Sequence, residues 1–95
     1  MGMKEAYQDK LQAQLDEWGA EIDKLKAKAD KAEADVKLDY YKEIEEMRSM
    51  QQVAEQKLNA LKESGEDAWE DLKEGTENAW SSLSSALKAA ISRFN

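Results

Sequence analysis

Large apolar residues recur every three or four positions along almost the whole chain. Steps of three or four from Tyr7 to Phe94 reach 25 positions, of which only Gln51, Gly65 and Thr76 are not apolar. Residues at this spacing lie along one face of an α-helix, and the positions between them are mostly charged or polar. This set of positions, called the apolar stripe below, predicts long amphipathic helices packed against other helices.

The apolar stripe has a different period in its two halves. Between Leu15 and Val36 the steps alternate three and four, which is the heptad repeat of a left-handed coiled coil. From Leu61 onwards, Leu72, Leu83 and Phe94 follow at intervals of eleven residues. An eleven-residue period predicts a helix that is straight or weakly right-handed. Both halves are therefore predicted to be helical, and no segment alternates as a strand would.

The best candidate for a turn is Ser64-Gly65. Gly65 suits the left-handed position that often follows a helix, and Ser64 with Asp67 resembles a capping box. Seven acidic residues crowd positions 63–77 and none occurs in 78–95, as expected for a separate helix that begins near residue 66. We predict an all-α fold in a single domain, 1–95. Helix one covers about 4–63, the turn 64–65, and helix two about 66–94, forming a coiled-coil hairpin. The alternative is one continuous helical rod.

The unequal lengths of these two helices predict self-association. Helix one would be about 90 Å long and helix two about 43 Å, so a hairpin would leave the N-terminal half of the stripe uncovered. Burying an apolar side chain of this size stabilises by roughly 1.5–3 kcal/mol, and a second copy of the chain is the simplest cover. The predicted self-association residues are Leu11, Leu15, Trp18, Ile22 and Leu25.

The C-terminal segment carries a second candidate surface. Its large apolar residues share one helical face, and its other face is rich in serine between Asn78 and Asn95. Packing on helix one is the favoured interpretation, and binding to a loosely packed lipid surface is the alternative. The residues of this predicted helix–helix or lipid face are Trp69, Leu72, Trp80, Leu83, Leu87, Ile91 and Phe94.

Composition narrows the chemistry. Histidine and cysteine are both absent, which removes the commonest general base, thiolate nucleophiles and the commonest metal ligands. Adjacent carboxylates such as Glu45-Glu46 lie off the stripe, so they are interpreted as a solvated helix face. A net charge of −7 disfavours nucleic acid as a partner. We expect no catalytic, cofactor-binding or metal-binding residues, no small-molecule substrate and no enzymatic activity. The N-terminal residues lack the apolar core of a signal peptide, so we expect a cytoplasmic protein.

Several short stretches, spread over most of the chain, form a recognisable set. They are Lys4-Glu5-Ala6-Tyr7, Ala13-Gln14-Leu15, Glu17-Trp18, Ile22-Asp23-Lys24-Leu25, Ala27-Lys28-Ala29, Tyr41, Glu66-Asp67-Ala68-Trp69-Glu70-Asp71-Leu72-Lys73, Gly75 and Ala79-Trp80. Together they resemble a family of small bacterial coiled-coil proteins associated with stress responses. Gly19 departs from that pattern, where a charged residue is expected. The resemblance implies a cytoplasmic, non-enzymatic helical protein linked to stress, with no catalytic residues to carry over.

Three functions follow from these observations. The leading hypothesis is a non-catalytic, self-associating helical protein, a homo-oligomer whose activity is to make helix–helix contacts. The second is a peripheral membrane protein that opens residues 69–94 onto lipid. The third is a hydration or desiccation protectant that stays largely disordered until dried or crowded.

Overall fold

The chain folds into three helices and no strand within residues 2–94, the part that the computed structural model describes. Helix α1 covers Met3–Asp30, α2 covers Ala34–Glu63 and α3 covers Trp69–Arg93. Successive helices run antiparallel: Arg48 of α2 pairs with Asp23 of α1, and Arg93 at the end of α3 pairs with Glu43 near the start of α2. The bundle measures 51 × 19 × 18 Å.

Helix one, predicted as continuous over 4–63, is two helices, and the two-helix hairpin and the straight rod are both wrong for this structure. The chain turns at Lys31, Ala32 and Glu33, none of which is a helix breaker. Two tight backbone bonds close α1, from Lys31 N–H to Lys28 and from Ala32 N–H to Ala29. The turn is stabilised by tertiary burial, because folding α2 back onto α1 covers the apolar stripe of both helices.

A sequence signal for this turn exists. Bases crowd the end of α1 at Lys26, Lys28 and Lys31, and acids follow at Glu33 and Asp35. Bases at a helix C-terminus and acids at the next N-terminus both suit the helix dipole. The same argument from the placement of charges, together with Gly65, predicted the turn at 64–65.

The turn predicted at 64–65 coincides with the second turn of the structure and differs from it in detail. Helix α2 ends at Glu63, and residues 64–68 form the turn, so α3 begins at Trp69 instead of residue 66. Gly65 is not left-handed, since none of the described glycines has a positive φ. The capping box is also absent, because the Ser64 hydroxyl donates to the Leu61 carbonyl at 2.6 Å. The Lys4 ammonium donates to the carbonyls of Lys62 and Ser64, so the start of α1 stabilises the C-terminus of α2.

One hydrophobic core runs the length of the bundle and is built from the apolar stripe. Helix α2 lies against both other helices, and α1 and α3 approach each other less closely. Large aromatic side chains fill the space between them: Trp18 lies 6.5 Å from Trp80 and Tyr7 lies 5.8 Å from Trp69, measured between ring centroids. The apolar stripe therefore supplies the core residues, and the turn at 31–33 determines which helix packs against those of α1.

Candidate interaction surfaces

The predicted self-association residues are covered within a single chain. Leu11, Leu15, Ile22 and Leu25 are at most 5% exposed, and Trp18 is half-buried against the same core. The premise that one molecule cannot cover them is wrong, since α2 folds back over α1 and α3 packs beside it. Four of these residues belong to the buried core of the bundle, and Trp18 packs against it with part of its ring exposed.

The predicted C-terminal face is also mostly enclosed. Trp69, Trp80, Leu83, Leu87 and Phe94 are buried, whereas Leu72 and Ile91 remain 38% and 39% exposed. Phe94 stacks on Tyr40 with ring centroids 4.1 Å apart. The favoured interpretation, packing against the rest of the chain, holds for five of the seven residues. Contact of this face with lipid would require the bundle to open.

Trp80 carries the one buried polar side-chain atom that lacks a hydrogen-bond partner among the described residues. Its indole Nε1 lies in the core beside Trp18. A buried donor without an acceptor lowers stability by about 1–3 kcal/mol. Burial of the Trp80 ring therefore stabilises the core, and its unpaired N–H group offsets part of that stabilisation.

A shallow groove between α2 and α3 is lined almost entirely by apolar atoms. We call it the α2–α3 groove. Its volume is about 230 Å³, less than the roughly 300–1,000 Å³ of typical small-molecule sites, so it suits one or two inserted side chains better than a ligand. The lining residues are Ser49, Met50, Val53, Ala79 and Ser82.

The groove combines a hollow with projecting apolar side chains. Ala79 and Ser82 keep the α3 wall low, while Val53 on the α2 wall is 46% exposed and Met50 is half-buried. The lining contains no charged residue. About three helical turns further along α3, Arg93 forms an ion pair with Glu43 at 2.6 Å. The groove is thus an uncharged patch.

Sequence reasoning missed the groove because its residues lie off the apolar stripe. The available signal was the absence of acids after residue 77 together with small residues at helical spacing, Ala79, Ser82, Ala86 and Ala89. Serine and alanine at such spacing are common on ordinary helix surfaces. Only the position of Met50 and Val53 beside them turns these residues into a groove.

Two larger hollows are lined in part by charged side chains. The hollow at Lys26, Tyr41 and Arg48 has a volume of about 490 Å³. Its Lys26 pairs with Asp30 at 3.5 Å, and its Arg48 pairs with Asp23 at 3.2 Å. The hollow between Lys28, Val36 and Phe94 measures about 400 Å³ and adjoins the α1–α2 turn. Neither brings together a nucleophile and a base.

Two tyrosine hydroxyls make the clearest polar contacts between helices. The Tyr41 hydroxyl donates to Asp30 at the end of α1, and this bond lowers the pKa of the Asp30 carboxyl. The Tyr7 hydroxyl donates to Glu77 Oε1 at 3.1 Å. Burial, followed by the hydrogen bond to Glu77 and its negative charge, raises the pKa of Tyr7 to about 12. Both contacts join two helices, and Tyr41 also lines the hollow beside Lys26 and Arg48.

The charge of the molecule is unevenly distributed along the bundle. The end that holds the start of α1, the end of α2 and the 64–77 segment carries most of the net charge of −7. Acidic residues dominate there, most densely from Glu66 to Glu77, where Lys73 is the only base. Within residues 2–94, no three acidic side chains converge in a way that could hold a metal ion.

Comparison with models of protein families, with curated proteins and with solved structures gives no significant match in any of the three. The resemblance to bacterial stress-associated coiled coils therefore stays a prediction. No helix in the described part of the chain is long and apolar enough to cross a membrane.

Proposed function

We propose that this chain acts without catalysis, as a helical bundle that associates with other copies of itself through the α2–α3 groove. The observation that supports this proposal is the groove, which offers both a hollow and the Met50 and Val53 side chains that could fill an identical hollow. A two-fold symmetric dimer brings a patch against the same patch, so one patch must provide both parts.

Charge determines which face of the bundle could meet a second copy. Two chains that each carry −7 repel one another, and most faces of the bundle would bring like charges together. The α2–α3 groove has no charged lining residue. Contact there places no like charges opposite each other within the groove and avoids the cost of desolvating charged groups.

The size of the patch predicts a weak, reversible dimer. The α2–α3 groove has five lining residues and a volume of about 230 Å³. Stable interfaces bury roughly 1,200–2,000 Å² and involve about 20–30 residues from each partner, so contact through the groove falls well below that size. We expect association to depend on concentration in the micromolar range or above.

Val53→Asp tests the surface. A carboxylate in the groove would be buried unpaired in the dimer, so association should weaken more than tenfold while the bundle stays folded. Val53→Thr keeps the shape of the side chain and should associate nearly as the wild type does. Leu38→Asp is the matched control, because Leu38 is 62% exposed and lies outside the groove.

Sedimentation equilibrium over a wide concentration range measures these constants. A wild-type chain that stays monomeric throughout would exclude the proposal. Equal weakening by Val53→Asp and Leu38→Asp would instead show that the groove is not the interface.

The resemblance noted above adds stress response and a cytoplasmic setting to this proposal. The other two functions have separate tests. Flotation with packing-defect-rich vesicles would support the lipid function, which requires the bundle to open. Low helicity by circular dichroism in dilute buffer would support the protectant.

A further inference from the structure

The turn between α1 and α2 contains nothing that forbids a straight helix. Lys31, Ala32 and Glu33 all favour helix, and Glu33, the N-cap of α2, makes no side-chain cap bond. Lys31 already has a helical backbone, and Glu33 is extended at φ −67°, ψ 152°. Straightening the chain here needs backbone rotation at only a few residues.

The apolar stripe continues through this turn, although the bundle makes little use of it there. Ala29, Ala32, Val36 and Tyr40 keep the heptad steps, yet Val36 is 40% exposed. The turn breaks the helical face to which all four belong. A continuous helix would restore that face.

The register between α1 and α2 decides what a straightened chain could pair with. In the part of α1 nearer the turn, residue numbers in facing pairs add to 70 or 71: Asp30 with Tyr41, Asp23 with Arg48, and Gly19 with Gln51. At the far end, Gln12 and Lys62 add to 74. An antiparallel pair with a constant sum is symmetric about its midpoint, here residues 35–36. Two straightened chains can therefore form the same contacts between molecules, with Val36 of each chain at the two-fold axis.

From these features we infer that the chain also forms a domain-swapped dimer with a second copy. In it, residues 3–63 form one helix, and α1 of each copy packs on α2 and α3 of the other. The α1 core residues keep their environment, and Val36 becomes buried. Exchange of an element between identical chains costs little because the exchanged contacts are native. This dimer does not involve the α2–α3 groove.

Ala34→Pro should block the swapped form and leave the closed bundle intact. Residue 34 is the first of α2, a position that proline favours, and the extended backbone of Glu33 is what a following proline requires. In the straight helix, the same proline would lie in the interior and clash. Each swapped dimer contains two such sites, so we expect the yield of dimer to fall more than a hundredfold. Ala34→Ser, which keeps the backbone N–H, is the matched control.

Cross-linking reports the exchange directly, because the chain has no cysteine of its own. A Cβ on Gly19 would lie 3.0 Å from the Gln51 side chain. Chains with Gly19→Cys and chains with Gln51→Cys are mixed, unfolded, refolded at high concentration and oxidised. A disulfide between them forms only if α1 has exchanged. The double variant in one chain, refolded dilute, is the control for geometry and should close within the molecule.

We expect a cross-linked heterodimer that disappears with Ala34→Pro and persists with Val53→Asp. Small-angle scattering of the dimer should give a length of about 90 Å, against 51 Å for the bundle. The inference is overturned if the double variant closes within one chain while the mixture gives no cross-link. It is also overturned if Ala34→Pro leaves the yield unchanged. Loss of association with Val53→Asp alone would concern only the groove.

Discussion

Thr76 is fully buried although it is polar, because its hydroxyl donates to the Leu72 carbonyl of its own helix at 2.8 Å. The other two positions of the apolar stripe that are not apolar also have structural explanations. Gln51 places its amide beside Gly19, where a larger residue would meet it, and Gly65 lies in the α2–α3 turn. Gly19, unexpected in the family resemblance, thus leaves room for Gln51.

Gly75→Ala should stabilise the bundle. Gly75 lies within α3, a Cβ there would meet nothing within 4 Å, and its φ is not positive. Alanine should raise the free energy of unfolding by about 0.5–1 kcal/mol, since glycine loses more backbone entropy in a helix. Urea unfolding followed by circular dichroism measures the change. Gly19→Ala should gain less, because the Gln51 amide must shift. A destabilised Gly75→Ala variant would mean that α3 does not run continuously through this residue.

Tyr7 should make stability fall at alkaline pH. Its pKa is about 12 in the folded chain and about 10 when unfolded, so the folded state favours the neutral phenol. That contribution is complete below pH 10 and is lost as pH rises through 12. Tyr7→Phe should therefore show a shallower decline between these values, measured by urea unfolding at several pH values. An unchanged slope would assign the alkaline transition to other groups.

At the scale of the element, each helix is amphipathic. The apolar face of α1 is covered because α2 folds back onto it. Asp23 and Asp30 on α1 both contact α2, through Arg48 and Tyr41. These polar contacts are exposed, and exposed pairs stabilise by at most about 1 kcal/mol. The packing of α1 therefore depends chiefly on its apolar residues.

Ile22→Ala should destabilise the single folded chain. Ile22 is fully buried between helices of one molecule, so truncation should cost about 2–5 kcal/mol. Because the contact is intramolecular, the loss should be the same at every protein concentration. Thermal unfolding over a concentration series measures it, and Leu38→Ala at an exposed site is the control. A loss of stability that becomes smaller as protein concentration rises would indicate that Ile22 contacts another chain.

At the scale of the whole molecule, the charge of −7 opposes any contact between copies, and the uncharged α2–α3 groove is where that opposition is least. Association through the groove and exchange of α1 use different parts of the bundle. The first leaves each core within one chain, and the second shares the cores between two. The bundle therefore has two independent ways to form a dimer, one through the α2–α3 groove and the other by exchange of α1.

Salt should strengthen association through the groove. Added salt screens the repulsion between two acidic chains, whereas the uncharged contact itself is little affected. We expect the dimerisation constant to rise severalfold from low salt to physiological ionic strength, measured by sedimentation equilibrium. Weakening by salt would indicate ion pairs across the interface and would contradict a groove without charges.

The sequence by itself determined the helical class, the residues of the core and the end of α2. Helical spacing decides which side chains share a face, and this is a local property that needs no knowledge of partners. Leu11, Ile22, Leu58 and Leu83 are accordingly all buried, as the apolar stripe requires.

Only the tertiary structure decided the number of helices and what covers each face. The Lys31–Glu33 segment favours helix locally, and it turns because the turn lets one chain bury both halves of its own stripe. The α2–α3 groove likewise exists only once Val53 and Ala79 lie side by side. Burial is a sum over distant parts of the chain, so local propensity could not reveal either feature.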